Sequence, residues 1–182
     1  MGAIHVHEFV TLDGVADNPA WSFDYGFDDK QGETLGAVTD RVGGILLGRV
    51  TFEMFAQSWP DRTEEDDPGA PFFNDTTKYV VSSTLEDPES VWRNSTVVGP
   101  YDPDAIRELK ADRDLYVSGS TTLVRAMLDD GLVDELHLWV YPLTRPGGPK
   151  LFTDDAAPQK MEFARSERYD NGVLYLNLRR AD

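Results

Sequence analysis

Two strand–glycine–helix junctions carry residue types that hold phosphate. In one, the apolar run Leu115-Tyr116-Val117 breaks at Ser118-Gly119-Ser120. It continues through Thr121 into a stretch with apolar residues at Leu123, Val124, Met127 and Leu128, the spacing of a helix. Such a junction aims free backbone N–H groups and the positive end of a helix at one point, and the hydroxyls of Ser118, Ser120, Thr121 and Thr122 add donors. The same residues equally suit an ordinary capped junction, with Ser120 or Thr121 as N-cap. In the other, Ile45-Leu46-Leu47 runs into Gly48-Arg49-Val50-Thr51. Arg49 there offers charge to an anion, or pairs with Glu53 four residues on. A third group, Ser82-Ser83-Thr84, follows the buried-strand pattern Lys78-Tyr79-Val80-Val81. Hydroxyls at the carboxyl end of an inner strand lie where open α/β sheets bind ligands.

His5 and His7 share one face of a half-buried strand over 4–10, with Glu8 on the other face. No third ligand stands nearby, so no metal site is assigned. The following loop interleaves Trp21, Phe23, Tyr25 and Phe27 with Asp24, Asp28 and Asp29. Aromatics beside carboxylates wall a flat ligand or cap the core. The chain has no cysteine, which removes disulfides, thiolate metal sites and thiol nucleophiles.

Elements that position these residues follow from periodicity and punctuation. Helices are expected over 29–41, ended by Gly43-Gly44, from 48 to the Trp59-Pro60 region, over 103–110 with Pro103 in the first turn, and over 121–130, stopped by Gly131. Strands are expected over 4–10, 45–47, 78–81, 95–100, 115–117 and within 132–142. In that last strand Leu136, Leu138 and Val140 mark one covered face. Residues 61–70 form an acidic loop, and the Pro/Gly-rich stretch 144–150 is expected to be mobile. Asn171-Gly172 between alternating runs 161–168 and 173–179 signals a terminal hairpin. Alternation of strand and helix, then a hairpin, implies a mostly parallel sheet with antiparallel edge strands and helices on both faces.

With 182 residues the chain suits one domain. Its net charge of −16 argues against nucleic acid and demands a local positive patch for any anionic ligand. No apolar run reaches membrane-spanning length, and the amino-terminal residues lack the pattern of a secretory signal, so a cytoplasmic protein is expected.

Several segments, read together, resemble the dihydrofolate reductase superfamily. Gly48-Arg49-Val50-Thr51-Phe52-Glu53 is similar to that superfamily's Gly-Arg-x-Thr-aromatic-Glu segment, and Ser118-Gly119-Ser120-Thr121-Thr122 to its later glycine turn. Leu132-Val133-Asp134-Glu135-Leu136 resembles the link that follows. Thr11-Leu12-Asp13-Gly14 is similar to the Ser-Leu-Asp-Gly pattern of the reductase domain of riboflavin biosynthesis. Their order over nearly the whole chain resembles stand-alone bacterial proteins grouped with that domain.

The resemblance implies a three-layer α/β/α fold, NADPH bound across the sheet, and a small-molecule substrate reduced by hydride. It implies phosphate at Gly48, Arg49 and Thr51, the adenosine ribose and 2′-phosphate beside Ser82, Ser83 and Thr84, and pyrophosphate at Ser118, Gly119, Ser120 and Thr121. Asp28, near the start of the first helix, and Asp13, at the end of the first strand, are the candidate catalytic carboxylates. Trp21 and Phe23 are candidate substrate-binding residues suited to a pterin or pyrimidine ring. No basic cluster in the 21–30 loop serves a ribose phosphate. A homodimer is expected, the terminal hairpin offering an edge. The alternative expectation is a nucleotide-binding dimer without robust catalysis. A weaker one is a metal-dependent hydrolase built on His5, His7 and the acidic loops.

Overall fold

A computed structural model describes residues 2–16 and 18–181. Eight strands form one sheet in the order β4-β3-β2-β5-β1-β6-β8-β7. The strands are β1 (Ile4–Thr11), β2 (Gly44–Gly48), β3 (Lys78–Val81), β4 (Ser95–Gly99), β5 (Leu115–Val117), β6 (Glu135–Tyr141), β7 (Met161–Arg168) and β8 (Leu174–Arg180). The first six are parallel, while β8 pairs antiparallel with both β6 and β7.

The helices are α1 (Asp29–Thr39), α2 (Arg49–Phe55), α3 (Ala70–Asp75), α4 (Pro88–Val91), α5 (Pro103–Leu109) and α6 (Thr121–Asp129), with a 3-10 helix over Pro19–Tyr25. Crossovers between parallel strands are right-handed, so the direction of travel along the sheet decides the face. The chain moves outward from β1 through β2 and β3 to β4. This side packs Val38, Phe52, Phe73 and Trp92 against Ile45, Leu47, Val80 and Tyr116. The chain then returns to β5 and passes on to β6. The opposite face therefore packs Ile106, Leu123, Val124, Met127 and Leu128 against Ile4, Val6, Val10, Val117, Leu136 and Leu138.

Both α3 and α4 lie in stretches without a helical pattern; they are too short to show one. Lys78 fastens α3 to the sheet. It is fully buried and its Nζ donates to the carbonyls of Phe73 at 2.8 Å and Thr76 at 2.9 Å. Such donation to the last carbonyls of a helix satisfies acceptors that have no partner within it. Burial lowers its ammonium pKa to about 8.

Three expectations are corrected. The first strand is not half-buried: β1 lies between β5 and β6 with helices on both faces, and His5, His7 and Glu8 are all buried. Likewise β6 is covered on both faces rather than one. The 144–150 stretch is tied down instead of loose. Arg145 N donates to Asp13, Val15 bridges Lys150, and Leu151 is buried.

Candidate functional site

Adjacent parallel strands end level with one another, so the turns after β2 and β5 meet. Their register places Leu46 beside Val117, and the glycines follow at the carboxyl ends. Gly48 abuts the Ser120 side chain, and a Cβ built there would overlap the hydroxyl. Gly119 lies against Thr51, where a Cβ would sit 2.9 Å from Oγ1. Gly119 also has φ of +81°, a conformation open mainly to glycine. Each turn thus supplies the glycine that admits the other turn's hydroxyl residue. Ser120 is the N-cap of α6, its Oγ accepting from Leu123 N at 3.5 Å. Ser118 and Thr121 stand partly open beside it.

On the next strand out, Ser82 is buried and its Oγ accepts from the backbone N–H groups of Thr84 and Leu85. That local turn leaves Ser83 and Thr84 exposed at the rim. Arg49 is exposed on the first turn of α2, and its Nη1 lies 2.9 Å from both Glu53 oxygens. The structure therefore brings Gly48, Arg49, Thr51, Ser82, Ser83, Thr84, Ser118, Gly119, Ser120 and Thr121 to one end of the sheet, on the three neighbouring strands β3, β2 and β5.

The carboxylates occupy structural positions. Asp13 lies in the turn after β1, its Oδ1 accepting from the Thr11 hydroxyl at 2.5 Å and from Arg145 N at 2.9 Å. These hydrogen bonds, the Thr11 hydroxyl foremost, hold its pKa below the usual carboxylate value. Asp28 is the N-cap of α1. Its Oδ1 accepts from Lys30 N at 2.9 Å, and Gln31 Oε1 in turn accepts from Asp28 N at 3.1 Å.

The aromatic wall is also rearranged. In the 3-10 helix, Trp21 and Tyr25 turn inward and pack edge-on against Tyr141, at 5.1 and 5.4 Å between ring centroids. Phe23, two residues from each, points away and is 83% exposed, so it does not line the same wall. The W-x-F-x-Y spacing reads as one group in an extended loop; the helical turn splits it.

Three polar residues beside that wall were not anticipated. Gln31 is fully buried, its Nε2 without a hydrogen-bond partner among the described residues, Tyr141 is buried next to it, and Thr34 Oγ1 accepts from the Tyr169 hydroxyl at 3.0 Å. Gln31, Thr34, Leu35 and Val38 form one helical stripe, and polar residues on that apolar stripe were the available signal.

Residues 3–175 match the RibD C-terminal domain. The chain belongs to that family. Among relatives of this RibD C-terminal domain, the Bacillus subtilis (strain 168) protein YyaP, itself uncharacterized, is 24% identical over 174 residues, or 92% of this chain and 89% of that one. A candidate riboflavin biosynthesis protein of Shewanella sp. PV-4 superposes with a TM-score of 0.78 at 22% identity over 99% of each chain. A pyrimidine reductase-like protein of Corynebacterium diphtheriae superposes at 0.67 with 14% identity, over all of this chain and 92% of the other. The Thermotoga maritima diaminohydroxyphosphoribosylaminopyrimidine deaminase/5-amino-6-(5-phosphoribosylamino)uracil reductase superposes at 0.69 with 17% identity; this chain matches 57% of its length. The fold is the three-layer α/β arrangement of the dihydrofolate reductase type.

Proposed function

We propose that this RibD C-terminal domain is an NADPH-dependent reductase that passes hydride to a pterin-, folate- or pyrimidine-like ring. The observation that carries this reading is the interlocked pair of turns, Gly48 with Ser120 and Gly119 with Thr51, beside Ser82-Ser83-Thr84. The turns sit where the chain reverses its travel along the sheet, the place where open α/β sheets bind nucleotides. In this reading the amino end of α6, with Ser118, Gly119, Ser120 and Thr121, takes the pyrophosphate. Gly48, Arg49 and Thr51 take an adjoining phosphate, and Ser82, Ser83 and Thr84 the adenosine end. Hydride transfer asks the protein mainly to orient donor and acceptor. Trp21 offers an apolar side to the acceptor ring, and the Gln31 amide and Tyr141 hydroxyl offer hydrogen bonds to its edge. Asp13, in the turn after β1, is the candidate catalytic carboxylate of this reading, oriented by the Thr11 hydroxyl and Arg145 N. The names of the Corynebacterium and Thermotoga relatives favour a pyrimidine among these acceptors.

A second reading rests on the same wall. Trp21 and Tyr25 pack edge-on against Tyr141, and in this reading that packing keeps a flat ring out. A domain whose wall stays closed binds the nucleotide without turning over.

In both readings the molecule is a cytoplasmic homodimer joined through β7, whose outer edge is unpaired among the described residues and whose Phe163 is 69% exposed. Thermal shift with NADPH, NADP and NADH tests the cofactor: stabilisation by NADPH supports the reading, and no shift with any of them overturns it. Loss of reduced-nicotinamide absorbance with dihydrofolate or an aminopyrimidine then separates reductase from binder.

A further inference from the structure

At the opposite end of the sheet, the first residues of β1 and β6 bring together a second group. His5, Glu135 and His137 are 2%, 8% and 1% exposed. One carboxylate oxygen, Glu135 Oε2, lies 3.4 Å from His5 Nδ1 and 3.3 Å from His137 Nε2. Among the described residues neither of those nitrogens has a hydrogen-bond partner. We propose that His5, His137 and Glu135 form a binding site for a divalent first-row transition ion of the zinc type.

The geometry argues for it first. With metal–ligand bonds of about 2.0–2.1 Å, neighbouring ligand atoms of a tetrahedral ion stand about 3.3–3.4 Å apart. The two measured edges match that spacing, and all three ligand atoms lie within 4.8 Å of one another. The supporting contacts argue next. His137 Nδ1 is 2.8 Å from the Tyr175 hydroxyl. Donation to that oxygen leaves the lone pair on Nε2, the nitrogen that faces Glu135; metal-binding imidazoles are oriented by such bonds. Arg179 holds the other carboxylate oxygen, Oε1, at 2.7 Å, while Oε2 accepts from Asn177 Nδ2 at 3.3 Å and keeps a second lone pair for an ion. A buried imidazole nitrogen without a partner is costly, and a single ion between the two rings satisfies both at once.

The ligand set is also chemically selective. Two imidazoles with one carboxylate suit zinc, cobalt and iron(II), whereas calcium and magnesium require oxygen ligands. The remaining coordination positions fall to water or a small ligand. A competing arrangement is visible too. Arg41 Nη2 lies 3.6 Å from Glu135 Oε2, and His5 Nε2 lies 3.6 Å from Asp114 Oδ2. A charged His5 between two carboxylates would fill the same space with no metal. Arg41 is exposed and follows α1, so its side chain is free to swing out, and its path marks the route of the ion. The two ends of β1 are about 20 Å apart, and the hydride chemistry proposed above does not depend on this site.

The test is titration of the full chain, freed of metal by chelator, with cobalt(II) alone. The expected result is a visible ligand-field band that saturates at one equivalent and disappears on adding zinc. The band is lost in His137→Ala and Glu135→Gln, with folding checked by far-ultraviolet circular dichroism. Arg41→Ala, a surface change, is expected to tighten cobalt binding about tenfold by removing the competing cation. Absence of a stoichiometric band in both the wild type and Arg41→Ala overturns the proposal. So does a band that persists in His137→Ala, or an affinity unchanged by Arg41→Ala. NADPH-induced thermal shift, measured on the same samples, is expected to be unaffected by cobalt.

Discussion

Arg49 has two uses for one guanidinium. Its bond to Glu53 joins side chains that are 43% and 44% exposed, and a surface pair of this spacing contributes only about 0.3–0.5 kcal/mol. A charged hydrogen bond to a phosphate contributes about 1.5–3 kcal/mol, so in the proposed reading a bound phosphate displaces Glu53. Arg49→Ala is expected to weaken NADPH about tenfold and NADH less, whereas Glu53→Gln tightens NADPH about twofold; fluorescence titration at low salt reads both. Glu8 behaves differently. It is buried with Oε1 unpartnered, on the sheet face that carries Val6 and Val10, and burial raises its pKa from 4.5 to about 8. Between those values the unfolded chain has released the proton and the folded chain has not. Stability therefore falls as pH rises from 4.5 to 8. Urea midpoints are expected to show the wild type losing more than about 1 kcal/mol between pH 5 and pH 8 relative to Glu8→Gln.

At the scale of elements, the site is two glycine turns locked by each other's side chains. A side chain at Gly119 meets both the positive φ and Thr51, so Gly119→Ala is expected to weaken NADPH binding by more than tenfold and to lower the thermal midpoint. Calorimetry of both quantities on one sample checks this. The start of α1 is fixed by the Asp28–Gln31 capping box. Asp28→Ala is expected to cost about 1 kcal/mol by chemical denaturation.

Over the whole molecule, charge and edges set behaviour. The net charge of −16 repels a phosphate-rich cofactor at long range, so NADPH binding is expected to strengthen when salt is raised from very low levels, before local screening of Arg49 weakens it. The unpaired edge of β7 carries Phe163. Phe163→Asp is expected to convert the proposed dimer to monomer in sedimentation velocity without loss of secondary structure.

Much of the architecture was legible from local signals. The turns after β2 and β5, the cap at Ser120 and the hairpin at Asn171-Gly172 depend on a few consecutive residues, whose backbone preferences act before any packing. The short helices α3 and α4 were not legible, because their stability comes from contacts such as Lys78 on the α3 carbonyls. The pairing of histidines was decided by strand order. His5 and His7 share a strand face, yet His7 turns to the Tyr116 hydroxyl while His5 meets Glu135 and His137, some 130 residues away. The splitting of Trp21 from Phe23 likewise required the helical turn that docks on Tyr141. Composition, punctuation and motif order determined the class of fold and the candidate phosphate end. Which side chains meet was decided by the tertiary structure, because parallel strands distant in sequence become neighbours only once both faces of the sheet are covered.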